Sequence, residues 1–344
     1  MATRTWTPGG QMDWAVEDIT VQASRLALLA LAAGFGVASV LGAVPSIETQ
    51  MFVYLVGMVA LNLPHGGYEH FTNLRYRGLP FGARYVGLYL LAVGTFIGLF
   101  FVAPASALAV AFATAVAKGG HGDLRVMDGV VGSDHLQYRS QRALAAFARG
   151  GAVMIVPLLF WRETYVGFSE LMVSLFDPAA ISTVGARIEA GAPFLLGAYG
   201  VAVVAHLVGG YLTGGPSRSW LRDVGETSLL VAYFAAVPVV VSIGLYFPLW
   251  YSLRQAGRSV VAHRESPPDD GLPVPVVWGV FIAGAFTTGL LVAFLWWVVP
   301  NPLGIGSLLG GLVAFYTIFI CIVALPHVVV GEWLDQKRGI WYVP

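Results

Sequence analysis

Charge is scarce in this sequence. Only 11% of its 344 residues are Asp, Glu, Lys or Arg, against roughly a quarter in ordinary soluble domains, and nineteen basic residues face nineteen acidic ones. That balance leaves no basic face for nucleic acid and no acidic tail for a cationic partner. Cysteine is scarcer still. Cys321 stands alone in an apolar run, which excludes a disulfide framework, a zinc finger and an iron–sulfur site. Residues 1–22 are polar and lack the basic-then-apolar pattern of a cleaved signal peptide, so the first apolar segment is expected to direct insertion.

Apolar length is what the chain has in plenty. Hydrophobic residues make up 57% of it, and the mean hydropathy is +0.74. Stretches of about twenty apolar residues, the length that crosses a bilayer as a helix, fall near 23–45, 50–66, 84–104, 105–121, 143–161, 191–213, 227–251, 274–299 and 305–330. The expected fold is all-α, a polytopic transmembrane helical bundle of eight or nine crossings. It forms a single integral membrane domain over 1–344 behind a short polar N-terminus, in the cell membrane. The segment 163–190 reads either as an interfacial amphipathic helix or as a re-entrant half-crossing. Lys and Arg concentrate around 67–84, 119–142 and 214–223, which puts those loops and the N-terminus on the cytoplasmic side.

An ionisable side chain at membrane depth is costly, and by default it marks a functional site. His65 and His70 lie in Leu-Pro-His-Gly-Gly-Tyr-Glu-His, His121 in Lys-Gly-Gly-His-Gly-Asp, His206 in Val-Val-Ala-His-Leu-Val, and His327 in Ala-Leu-Pro-His-Val. His135 and His263 fall in polar loops and are expected to be solvated. Neutral imidazole is the usual nitrogen ligand of iron, copper or zinc, and a bundle core can assemble such a site from several helices. His65, His121 and His327 are therefore candidate metal ligands. His206 is either a further ligand or a hydrogen bond between helices. Gly66 and Gly67 allow close approach beside His65, and Glu69 and Asp123 follow histidines closely enough to orient an imidazole.

Taken in order, Pro64-His-Gly-Gly-Tyr-Glu-His70, His121-Gly-Asp123 and Tyr246-Phe-Pro-Leu-Trp-Tyr-Ser-Leu-Arg-Gln255 resemble the Brp/Blh family of membrane β-carotene 15,15'-dioxygenases. The resemblance runs from about residue 50 to the last apolar segment. It implies a helical membrane enzyme that uses non-haem Fe(II) and O2 to split the central double bond of β-carotene into two retinals, with a microbial rhodopsin as the associated partner. It also implies a four-histidine iron site, with His65 and His121 matching two of the four. The other two belong to a His-Ser-x-Arg-His pattern that reads Tyr251-Ser-Leu-Arg-Gln255 here. Three repairs are open: His327 and His206 supply imidazoles, Glu69 or Asp123 makes a two-histidine, one-carboxylate site, or the metal is lost.

Strict alternation of crossings puts His65 and His121 toward one membrane face and Tyr251, Gln255 and His327 toward the other. Aromatic walls suit a flat polyene entering from the bilayer; Tyr246, Phe247 and Trp250 are the first candidates, with Trp296, Trp297 and Phe315 beside them. Two readings follow: a carotenoid-cleaving dioxygenase, and a non-catalytic protein that binds carotenoid or retinal for a rhodopsin. Other histidine-bearing bundles, holding haem or transporting solutes, fit the composition but not the order of motifs.

Overall fold

The computed structural model of the chain describes residues 16–62, 82–265 and 274–334. Twelve α-helices run through these residues, and no strand occurs among them. They are α1 (Val16–Val40), α2 (Ile47–Leu55, continued by a π-helical turn Val56–Asn62), α3 (Ala83–Val102), α4 (Pro104–Val126, with a π turn Met127–Val131), α5 (Arg139–Phe160) and α6 (Arg162–Ser174). There follow α7 (Ile181–Gly214), α8 (Arg218–Ala236), α9 (Val239–Tyr246, with a π turn Phe247–Ser252), α10 (Leu253–Glu265), α11 (Val274–Val298) and α12 (Leu308–Leu334).

Local chemistry sets several of these boundaries. Pro104 begins α4 directly after α3, where a proline loses no hydrogen bond and its fixed φ suits the first helical turn. The side chains of Ser46 and Ser217 accept from the backbone N–H of Thr49 and Trp220 at the starts of α2 and α8. Gly215, at φ +59°, ends α7.

Five described helices are long and apolar enough to cross a membrane: Val16–Val40, Ala83–Val102, Arg139–Phe160, Pro178–Gly214 and Leu308–Pro326. These five are counted among the described residues, against the eight or nine crossings expected over the whole chain. The apolar stretch 227–251 is broken at Pro238 into α8 and α9. The helix over 105–121 continues to Val126 and carries Lys118, Asp123 and Arg125, so its second half is not an apolar span. α2 adds a shorter apolar stretch, Ile47–Val59, and α11 is a 25-residue apolar helix that contains the stretch Ile282–Val298. The ambiguous segment 163–190 divides into the 13-residue α6 and the beginning of α7. At 1.5 Å per residue α6 spans about 20 Å, short of a hydrocarbon core of about 30 Å.

α4 and α5 form the central pair. Their backbones touch: a Cβ at Gly120 would stand 2.0 Å from the carbonyl oxygen of Ala146, and one at Gly150 would stand 2.0 Å from that of Val116. Glycine is the side chain that allows two helices this close. Around the pair, α5 packs on α7 and α8, α1 packs on α8 and α10, and α12 packs on α4. Large apolar side chains such as Leu91, Phe194, Val201 and Phe286 stand exposed on the outside, as a lipid-facing surface requires.

Candidate active site

The most deeply buried polar feature is an ionic network inside the bundle. Arg149, in the middle of α5 and fully buried, donates from Nε to Asp123 Oδ2 (2.9 Å), from Nη1 to Asp223 Oδ1 (2.8 Å) and from Nη2 to Glu226 Oε2 (2.6 Å). Arg254 donates both Nη groups to Glu226 at 2.9 Å, and Arg25 of α1 reaches Glu226 Oε1 at 2.6 and 2.8 Å. The indole of Trp250 donates to Asp123 Oδ1 at 2.9 Å and lies under the Arg254 guanidinium at 4.1 Å. Three guanidiniums thus face three carboxylates, and five helices and one π turn are tied at one point.

Two histidines complete this network. His135 is fully buried, with Nε2 2.8 Å from Asp223 Oδ2 and Nδ1 3.1 Å from Ser219 Oγ. The loop carrying it folds under α7, where Gly214 leaves room: a Cβ there would stand 2.5 Å from that of His135. The solvated reading of His135 is corrected by this packing. His206 Nε2 approaches the same oxygen of Asp223 to 3.0 Å, but out of line for a hydrogen bond. Asp223 and Glu226 lie outside the five described helices that are long and apolar enough to cross a membrane. Burial would push both carboxyls up. For Asp223 the contacts with His135 and His206 and the charge of Arg149 outweigh it; for Glu226 the guanidiniums of Arg254, Arg149 and Arg25 do. Both are held well below the usual carboxylate range.

On another side of α4 runs an apolar groove of about 690 Å³ between α4, α5, α6 and α7. Its lining includes Ala105, Ala109, Ala113 and Ala117, one small residue per turn, and the next position in that row is His121. From Ala105 to His121 the row covers about 24 Å of helix. Phe112, Phe147, Met154, Leu158 and Tyr165 line it too, with Arg187 as the other charged or imidazole side chain of the lining. Ala109 and Ala113 are exposed, so the groove opens on the outside of the bundle.

A third arrangement joins α4 to the stretch 247–255. Gln255 Nε2 donates to the carbonyl of Gly122 at 2.7 Å. A Cβ at Gly122 would stand 2.3 Å from Tyr251 Cε2, so only glycine admits that ring. One turn back, the Lys118 ammonium stands 5.2 Å from the centroid of Tyr251. The expected separation of His121 from residues 251 and 255 onto opposite membrane faces is therefore corrected: α4 passes directly beside them. The contact is made by positions 118 and 122, while His121, about 100° around the helix from residue 122, lines the groove.

The remaining sequence-derived candidates have definite places. Asp123 gives its oxygens to Trp250 and Arg149. Tyr246, Phe247 and Trp250 are buried in the core and are not among the groove's lining residues; the Tyr246 hydroxyl has no hydrogen-bond partner among the described residues and faces Gly119. Phe315 is buried in an edge-to-face pair with Trp296 at 5.1 Å, and Trp297 is 80% exposed. His65, Glu69 and His70 lie outside the described residues, as do the side chains of His263 and His327. Arg149, Asp223, Glu226 and Lys118 escaped the sequence reading. A charge within an apolar helix was the available signal for Arg149 and Lys118.

Residues 56–335 match the family described as Beta-carotene 15,15'-dioxygenase. The chain belongs to this family. It is 49% identical to a protein of Halobacterium salinarum named "Probable beta-carotene 15,15'-dioxygenase Brp", over 98% of either chain. It is 31% identical to "Probable beta-carotene 15,15'-dioxygenase Blh" of the same species, over 95% of this chain and 98% of that one. No solved structure matches. Within the Brp/Blh family, the resemblance places two iron ligands at positions 251 and 255. Here those positions do not fit a metal. Tyr251 turns a ring edge to Gly122, and Gln255 donates its amide to that residue's carbonyl. The carbonyl oxygen of Gln255 already accepts from Arg258 Nε at 3.0 Å, and Lys118 adds a second positive charge. Among the described residues no three His, Cys, Asp or Glu side chains are arranged to hold a metal ion.

Proposed function

We propose that this membrane protein splits the central double bond of β-carotene, or of a related carotenoid, with O2 to give two retinals. Family membership and the names of the two Halobacterium salinarum relatives support the reaction class. The observation that carries the reading is the groove: a 690 Å³ apolar trough open to the outside of the bundle, its alanine row ending at His121. A polyene dissolved in the bilayer enters such a trough sideways without crossing water. The row of methyl groups gives a flat floor, Phe112 and Phe147 offer ring faces to the conjugated chain, and His121 is the polar group it reaches.

Fe(II) is the metal of this reading. It supplies activation of O2 when bound, and the imidazoles that would hold it are His121, His65 and His327. His206 is less well placed, since it sits against Asp223. What the chain's own residues do is bind: α4, α5, α6 and α7 hold the polyene away from water.

The test is co-expression in a β-carotene-producing bacterium, with retinal quantified by chromatography. Retinal is expected from the unmodified chain and a loss of at least tenfold from His121→Ala and from Ala113→Trp, which fills the groove's floor. Undiminished retinal from Ala113→Trp, with the variant present in the membrane, would sink the assignment of the groove.

A second reading is favoured by one observation, the Lys118–Tyr251–Gln255 arrangement. On that reading the chain binds a carotenoid or retinal and delivers it to a rhodopsin. Bound polyene absorption in the purified protein, with no retinal formed, distinguishes it.

A further inference from the structure

The junction of α4 with the stretch 251–255 is built around a positive charge. Lys118 is one of only two lysines in 344 residues, and its ammonium lies toward the Tyr251 ring at 5.2 Å. An aromatic face attracts a monovalent cation through its quadrupole, but it offers no lone pair to a metal in the way imidazole does. Position 255 tells the same story. The amide nitrogen of Gln255 is spent on the Gly122 carbonyl and its oxygen accepts from Arg258, so a second cation stands behind it. Gly122 makes room for both side chains, at 2.3 Å from Tyr251 Cε2 and 3.0 Å from Gln255 Nε2 for a Cβ built there.

We propose that Lys118, Tyr251 and Gln255 form a metal-free clasp in which the Lys118 ammonium takes the place that a metal ion holds in relatives with histidines at positions 251 and 255. The three residues make one unit. Histidines at 251 and 255 bind a divalent ion only when position 118 carries no positive charge, and the lysine needs an aromatic face at 251. The clasp fastens α4 to the π turn after α9 by a cation–π contact and to α10 by an amide–carbonyl hydrogen bond. It rests on membership of the family and not on the cleavage reading, whose candidate ligand His121 lines the groove on another face of α4.

The experiment uses the full chain purified in detergent and incubated anaerobically with Co²⁺, with cobalt counted by mass spectrometry and its ligand-field bands recorded. Tyr251→His with Gln255→His is expected to bind no more cobalt than the unmodified chain, because Lys118 remains. Adding Lys118→His is expected to raise binding by about one equivalent, with visible bands shaped by imidazole nitrogen. A full equivalent gained with Lys118 still present would overturn the proposal, as would a folded triple variant that gains none. Gln255→Leu alone, a milder change, is expected to leave the metal content of the purified chain as it was; loss of metal there would mean that Gln255 is a ligand. Retinal formation by the unmodified chain is scored separately, so a chain that makes no retinal but whose triple variant gains cobalt keeps the clasp and loses the cleavage reading.

Discussion

Replacing Arg149 by methionine removes the hub of the buried network while keeping a long apolar side chain in α5. In the native chain the guanidinium serves Asp123, Asp223 and Glu226 through three hydrogen bonds of 2.6–2.9 Å. Glu226 keeps Arg254 and Arg25 after the change, but Asp223 loses its only guanidinium among the described residues and Asp123 keeps Trp250 and a 3.6 Å approach from Arg254. Taking one partner from a buried ion pair costs about 3–5 kcal/mol, because the other charge stays behind without compensation. For a chain of 344 residues that corresponds to a fall in melting temperature of about 4–7 °C. The assay is thermal unfolding of the purified protein in detergent, followed by tryptophan fluorescence. Arg162→Met is the control: the Arg162–Glu189 pair is 42% and 49% exposed, and such pairs contribute no more than about 1 kcal/mol. Arg149→Met combined with Asp223→Asn restores equal numbers of opposite charges, so the double variant is expected to lose less than the sum of its parts by about 1 kcal/mol or more. A fall below about 2 °C for Arg149→Met, or strict additivity in the double variant, would refute the view that this charge holds the bundle together.

Two further predictions rest on the same packing. The carboxyls of Asp223 and Glu226 are depressed in the folded chain, so their stabilisation is complete above the unfolded carboxylate range, about pH 4, and is lost as pH falls toward their folded values; melting temperature is expected to be level from pH 8 to 5 and to drop below about pH 4, and a steep loss between pH 7 and 5 would contradict it. Gly120→Ala puts a methyl 2.0 Å from the Ala146 carbonyl, so α4 and α5 must part, at a cost of about 1–3 kcal/mol, whereas Gly94→Ala, with open space around it, is expected to leave the melting temperature within about 1 °C on the same assay.

The class of the fold was legible because it depends on composition and run length, both local. α1, α3 and α12 lie close to the segments read from apolar runs, and the chain's helices leave their apolar side chains outward as a membrane demands. The break of the run 227–251 at Pro238 was not legible, nor were the charges satisfied inside the bundle, since a run of twenty apolar residues says nothing of either. Arg149 pairs with Asp123, 26 residues away, and with Glu226, 77 residues away; each charge taken alone reads as a helix-end residue or a misfit. His135 looked solvated for the same reason, its partners Ser219 and Asp223 lying more than eighty positions along the chain. At the candidate site, the departures at Tyr251 and Gln255 were plain in the sequence. Their compensation by Lys118 and Gly122 was not, because it needs the knowledge of which face of α4 they meet.

That question of faces also decides what His121 can do. For His121 to meet residues 251 and 255, α4 would have to turn by about 100° about its axis. Asp123 resists, since Arg149 and Trp250 hold its two oxygens from opposite neighbours. Gly120 resists as well: it is the position that runs against the α5 backbone, and turning the helix would drive a neighbouring position into the Ala146 carbonyl. The ionic network and the glycine contact therefore lock α4 in rotation, with one row of side chains committed to the groove and the adjacent row to the clasp. The groove row that ends at His121 and the clasp at Lys118 are then separable by mutation, because each lies on its own side of a helix that cannot turn to exchange them.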